Sequence, residues 1–188
     1  QAIAARSQLN TWCEQLENIK NLTPVLCFPG ESLSWLRCWV KRKFRWMTFK
    51  LRGSFSNGNP SDNFNEYFNT KLQELQQSNT NSPLCLMVVD YMASGTSMSH
   101  IRTLINNSTV ANTLFNKNVY YYGLIKSSNR PLVQFQLNGV HEVQEPLSRY
   151  LNQAASGFKT FRTFPKQCIS DPHFGIKNPV DVSWNTRI

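Results

Sequence analysis

Leu84-Cys85-Leu86-Met87-Val88-Val89-Asp90-Tyr91-Met92-Ala93-Ser94-Gly95-Thr96-Ser97 is the segment on which the reading of this chain turns. Apolar residues run unbroken from Leu84 to Val89 and stop at a carboxylate, Asp90. A run of that length and composition predicts a strand buried on both faces, as in a parallel sheet. A small, hydroxyl-rich turn around Gly95 follows, and a helix is predicted from Ser97 to Asn106. The hydroxyls of Ser94, Thr96 and Ser97 then gather with backbone amides at a helix N-terminus. Unpaired amides and the positive end of the helix dipole favour an anion there. Phosphate is the expected guest.

Working outward, the pattern alternates between strand and helix. Residues 3–19 predict a helix with Ile3, Leu9, Trp12, Cys13 and Leu16 near one face, and Thr23-Pro24 ends it. Val25 to Phe28 predicts a short buried strand running into the turn Pro29-Gly30-Glu31-Ser32. A helix over 32–43 and a strand from Trp46 to Leu51 come next. Gly53 to Asp62 (GSFSNGNPSD) is a loop by composition. A helix over 62–77 leads into the opening segment. Val119 to Ile125 predicts another buried strand, and Leu132 to Leu137 an edge or antiparallel one. Glu145 to Ala155 predicts a helix with Pro146 in its first turn. This order implies one α/β domain over residues 1–188, with three layers and a largely parallel sheet between helices. Ligands of such sheets bind beyond the carboxyl ends of the strands. The Gly30 and Gly95 turns both belong at that end.

Composition narrows the class. The chain has 188 residues, of which 40% are hydrophobic, 12% aromatic and 16% charged, which describes a folded domain and excludes a disordered one. No apolar run approaches the roughly 20 residues a membrane helix requires. The sequence opens on Gln1 in a polar, helix-like segment, so a fragment of a longer polypeptide is expected and a signal peptide is not. Cys13, Cys27, Cys38, Cys85 and Cys168 are dispersed and odd in number, which favours reduced thiols. The cytoplasm is the expected location, or the cytosol of a target cell if a parent protein delivers the domain. His100, His141 and His173 lack zinc-ligand spacing to any cysteine pair, and no metal site is expected from them.

The net charge of +9 is local. Arg37, Lys41, Arg42, Lys43, Arg45, Lys50 and Arg52 fall between Glu31 and Asp62 with no acidic residue among them, interleaved with Trp35, Trp39, Phe44, Trp46 and Phe49. Two readings stand: aromatic core faces backed by solvated basic ones, or a surface for an anionic partner. No sequence-specific nucleic-acid motif accompanies the patch.

The succession Val88-Val89-Asp90-Tyr91-Met92-Ala93-Ser94-Gly95-Thr96-Ser97 resembles the phosphate loop of the type I phosphoribosyltransferases. That family has an apolar strand, two acidic residues, small residues, and a Thr-Gly-x-Thr-like loop opening a helix. Asp90 matches the second acidic position, Ser94-Gly95 the Thr-Gly, and Ser97 the closing hydroxyl, while Val89 stands at the first acidic position. In element order the resemblance spans residues 24 to about 126. It implies a phosphoribosyltransferase-like fold with residues 127–188 as hood and C-terminal extension. It implies a ligand that is phosphoribosyl diphosphate or a nucleotide, with transfer of the phosphoribosyl group as the activity. Ser94 to Ser97 would hold the 5-phosphate and Asp90 the ribose hydroxyls, with or without Mg²⁺. Gly30, Glu31 and Ser32 would face pyrophosphate. Ser54 to Asp62 would be the covering loop, with Arg52 just before it. Phe158, Phe161 and Phe164 would belong to the hood.

Two other readings compete. A phosphoribosyltransferase-fold module without catalysis would bind a nucleotide, or an anionic partner through the basic patch; Val89 favours it. Alternatively, Val25 to Ser34 resembles a nucleophile elbow, with Ser32 as nucleophile and Asp90 and His173 as partners, although Ser34 replaces the second glycine.

Overall fold

The computed structural model describes residues 2–30, 33, 36–37, 40–41, 46–51, 64–78, 83–92, 95–126 and 137–143, and, among these, not the side chains of 2–6, 50, 64 and 126. Five strands form: β1 (Thr23–Pro29), β2 (Met47–Leu51), β3 (Leu84–Met92), β4 (Val119–Lys126) and β5 (Gly139–Val143). They pair side by side in the order β2-β1-β3-β4-β5, and every pairing is parallel. Their composition dictates this. Six of the seven residues of β1 and eight of the nine of β3 are buried, which only a sheet covered on both faces provides.

The helices are α1 (Ala2–Glu14), which continues as a π-helical turn over Gln15–Ile19, then α2 (Phe64–Ser78), α3 (Thr96–Asn107) and α4 (Thr109–Phe115). Leu36, Arg37, Val40 and Lys41, between β1 and β2, are also helical. Parallel strands must be joined by right-handed crossovers, so the direction of travel across the sheet decides which face each connection covers. The step from β1 to β2 runs one way, and all later steps run the other. Accordingly Leu33, Leu36 and Val40 share one core with α1, around Leu26, Phe28, Met87, Val89 and Tyr122. Residues of α2, α3 and α4 share the other core, with Val25, Cys27, Leu86, Val88 and Tyr121. The alternation along β1 and β3 thus divides neighbouring residues between two cores. Each buried Val, Leu, Ile, Phe or Met adds roughly 1.5–3 kcal/mol of transfer free energy.

The described cysteines Cys13, Cys27 and Cys85 are buried free thiols. Among the described residues no helix is long and apolar enough to cross a membrane.

Most predicted elements recur with shifted ends. The N-terminal helix finishes in a π turn, and the helix after β3 begins at Thr96 rather than Ser97, with Gly95 in the N-cap position. Two elements are additional. α4 is a short helix capped by Ser108, whose Oγ accepts from the Ala111 amide at 3.1 Å. β5 begins after the edge strand predicted over 132–137 and runs parallel to β4. The predicted loop over 53–62, the strand residues 132–136, the helix over 145–155 and the hood residues Phe158, Phe161 and Phe164 lie outside the described residues. Residues 139–143 of the expected hood and extension instead extend the sheet as β5.

Two backbone positions carry opposite expectations. A Cβ on Gly139 would stand 2.6 Å from Tyr122 Cδ2 and 2.7 Å from Trp12 Nε1, because α1 closes directly over the start of β5. Lys117, after α4, holds φ at 67° in the left-handed region, where an L side chain costs roughly 1–2 kcal/mol. Gly139→Ala should therefore lose about 1–3 kcal/mol through overpacking, and Lys117→Gly should gain about 1 kcal/mol. Urea-denaturation midpoints read both signs.

Candidate functional site

A sheet ordered β2-β1-β3-β4-β5 reverses direction between β1 and β3, and ligands of such sheets enter at that reversal. Here the register opens a gap. The β1–β3 ladder runs from Thr23–Leu84 to Cys27–Val88 and ends. Beyond it β1 stays with β2 as far as Pro29–Leu51, and β3 stays with β4 as far as Met92–Ile125. The two halves of the sheet part at their carboxyl ends, and Asp90 lies in β3 just past the parting.

Asp90 is 7% exposed, among apolar neighbours on the face that carries Leu86, Val88 and Met92. Its Oδ1 accepts a hydrogen bond from the Tyr91 amide at 2.8 Å. One such bond favours the carboxylate, but loss of water favours the neutral acid more. Burial pushes the Asp90 carboxyl up from its ordinary 3.8 to about 7. Burial, together with the Asp90 carboxylate, raises the Cys27 thiol well above its usual range, which makes that thiol a packing group rather than a nucleophile. A carboxyl that titrates near neutrality at the mouth of an α/β sheet is the type of group functional sites employ. It can donate to a ligand oxygen when neutral and accept from two hydroxyls when ionised.

Both turns that flank the parting are held by left-handed glycines. Gly30 has φ 62° and its amide donates to Leu51 O at 2.8 Å, tying the end of β1 to β2. Gly95 has φ 84° and ψ 0° in the N-cap position of α3, and its carbonyl accepts from the Ser99 amide at 3.0 Å. A side chain would be strained at either position. Because Gly95 has no side chain, the first amides of α3 receive no side-chain cap from it. Thr96 is exposed and Ser97 half-buried there.

The sequence-predicted site thus divides. Asp90, Gly95, Thr96, Ser97 and Gly30 come to one end of the sheet at its reversal. Ser94, Glu31 and Ser32 lie outside the described residues, as does His173. Of the basic stretch, Arg37 is buried at 7% exposure and Lys41 is exposed. The reading of Arg37 as part of a solvated basic face is therefore corrected: its place on the inner side of the helix buries it. Arg42, Lys43, Arg45, Arg52 and the Lys50 side chain lie outside the described residues. His141 is elsewhere, on β5, with Nδ1 2.9 Å from Gln8 Oε1, which also accepts from Tyr122 Oη at 3.0 Å. What sequence reasoning missed is the parting itself, since register between distant strands leaves no local signal.

Among the described residues no group of three or more His, Cys, Asp or Glu could hold a metal ion. A single carboxylate does suit Mg²⁺ that arrives on a phosphorylated ligand, since that ion keeps most of its shell from phosphate and water. Asp90 is the described carboxylate at this end of the sheet that would hold such an ion. It would neutralise phosphate charge.

The buried carboxyl has a consequence for stability. Its proton is held more tightly folded than unfolded, so stability is present below the unfolded value and is lost as pH rises through the folded one. Asp90→Asn should leave stability nearly unchanged at pH 5 relative to its value at pH 8, where the variant should gain on wild type. The difference between the two proteins should widen by roughly 3 kcal/mol between those pH values. Denaturation midpoints at pH 5 and pH 8 measure it, and a gap independent of pH would mean Asp90 is not buried as described.

In comparisons with known proteins, no protein-family model, no curated protein and no solved structure matches this chain.

Proposed function

We propose that the chain binds a phosphorylated ribose compound, phosphoribosyl diphosphate or a nucleotide, at the parting of β1 and β3, and with the former transfers the phosphoribosyl group. The observation that carries this reading is the pairing of a buried carboxyl, Asp90, with a left-handed glycine turn at the start of α3. The turn offers amides to the 5-phosphate, with Ser94, Thr96 and Ser97 supplying hydroxyls. Asp90 then faces the sugar and accepts from its hydroxyls, for which it must be ionised. The Gly30 turn would face the pyrophosphate, with Glu31 and Ser32 next in the chain. Mg²⁺ accompanies the diphosphate. Transfer requires C1 of the ribose to lose pyrophosphate and gain an acceptor nitrogen. Asp90 serves by fixing the ribose through its hydroxyls.

One observation favours a second reading, that of a binding module without transfer. Val89 occupies the position of a first acidic residue and is fully buried in the core opposite Asp90. One carboxylate therefore does the work of two. Losing one charged hydrogen bond costs about 1.5–3 kcal/mol, roughly ten- to a hundred-fold in affinity.

Isothermal titration with phosphoribosyl diphosphate and Mg²⁺ tests binding, and release of pyrophosphate in the presence of purine, pyrimidine or amine acceptors tests transfer. Wild type should bind. Gly95→Trp, checked for folding, should not. Asp90→Asn should bind ten- to a hundred-fold more weakly while remaining folded. Equal binding by wild type and Gly95→Trp would remove the ligand from the turn.

A further inference from the structure

The outer edge of β2 lies away from the parting. Leu51 O accepts from the Gly30 amide at 2.8 Å, so the polar backbone groups of Leu51 face β1. Successive residues of a strand turn those groups to opposite sides. Thr48 and Lys50 therefore aim N–H and C=O away from β1. Among the described residues no strand pairs with β2 on that side. A row of such groups is a template for a further strand.

A concavity of about 710 Å³ runs along this edge. Thr48 shares a register position with Leu26, and Phe49 with Cys27, and those two β1 residues belong to opposite cores. The side chains of Thr48 and Phe49 thus lie on opposite faces of the sheet, yet both residues line the concavity, and no residue of β1 does. A space lined from both faces passes the edge of the sheet at β2.

Its two walls differ in chemistry. On the α2 side Phe49, Tyr67 and Leu75 present apolar and aromatic surface, and Lys71 Nζ meets Glu74 Oε2 at 2.8 Å in a neutral pair. On the other side Lys41 is an exposed cation. Arg37, also there, is buried and already engaged within the fold, and adds no free charge. The chain from Lys41 to Arg52, which leads into β2 and along it, carries Arg42, Lys43, Arg45 and Lys50 as well and no acidic residue. A second copy would set this stretch against itself, and like charges so placed repel. An acidic partner complements it.

We propose that the outer edge of β2 is a docking site for an extended acidic segment of a partner protein, added to the sheet as a further strand. Backbone bonds to Thr48 and Lys50 hold it, as in other strand additions. Its side chains alternate between the two walls. Acidic residues therefore fall on the Lys41 side and apolar ones against Phe49, Tyr67 and Leu75. The site uses neither Asp90 nor the Gly95 turn, none of whose residues lines the concavity.

The probe is a capped seven-residue peptide of alternating Glu and Val, titrated into the ¹⁵N-labelled protein. It should bind saturably, with the largest amide shifts at Thr48, Phe49 and the C-terminal part of α2, and weaken as salt is added. Two further versions are methylated on alternate backbone nitrogens, one on every Glu and one on every Val. Only one of them blocks the side that faces β2, so one should lose at least tenfold in affinity and the other should not. Lys41→Glu, at an exposed position, should weaken binding about three- to tenfold. Absence of binding, equal binding by both methylated peptides, or shifts confined to residues away from β2 would each overturn the assignment. So would a stable dimer of the free protein that protects the Thr48 amide from exchange.

Discussion

The pairing of β1 with β3 is the constraint on which this structure depends. It joins the two directions in which the sheet grows, and it is the place where chain order reverses. Both strands are almost wholly buried, so their alternating residues must satisfy two cores at once. Shifting either strand by one residue would exchange Leu26, Met87 and Val89 with Val25, Leu86 and Val88 between those cores. Register is therefore fixed by burial. The length of the shared ladder then fixes where the sheet parts, past Cys27–Val88.

From that parting the candidate site follows. Right-handed crossovers send the β1–β2 connection to one face and α2, α3 and α4 to the other, leaving the carboxyl ends of β1 and β3 uncrossed. Asp90 stands where β3 has lost β1 as a neighbour. Holding a carboxyl there costs stability at neutral pH, on the order of 4 kcal/mol for a shift from 3.8 to about 7. An apolar residue would carry no such cost. A carboxyl held at that cost at the carboxyl ends of the strands, beside a left-handed glycine turn, is the type of feature functional sites carry.

Much of this was legible from particular residues. Leu84 to Val89 and Val119 to Ile125 announce buried strands because six or seven apolar residues in a row fit no other short element. Gly30 and Gly95 mark turns because each ends an apolar run, and both adopt positive φ. Gly139 to Val143 was illegible: Val-His-Glu-Val alternates weakly, and only pairing with β4 and cover from α1 make it a strand. α4 escaped because Ser108 caps a new helix immediately after α3 ends. The burial of Arg37 depends on tertiary packing and leaves no local signal. The parting is likewise a property of register. Sequence periodicity specifies elements, whereas sites at strand ends arise from pairing, a tertiary quantity.

The most direct measurement is amide chemical-shift mapping of the ¹⁵N-labelled protein during titration with phosphoribosyl diphosphate and Mg²⁺. The largest changes should fall at Gly30, Tyr91, Gly95, Thr96 and Ser97, with β5 and the C-terminal part of α2 unaffected. Saturable shifts confined to residues away from the carboxyl ends of β1 and β3, or no shifts at all, would contradict it.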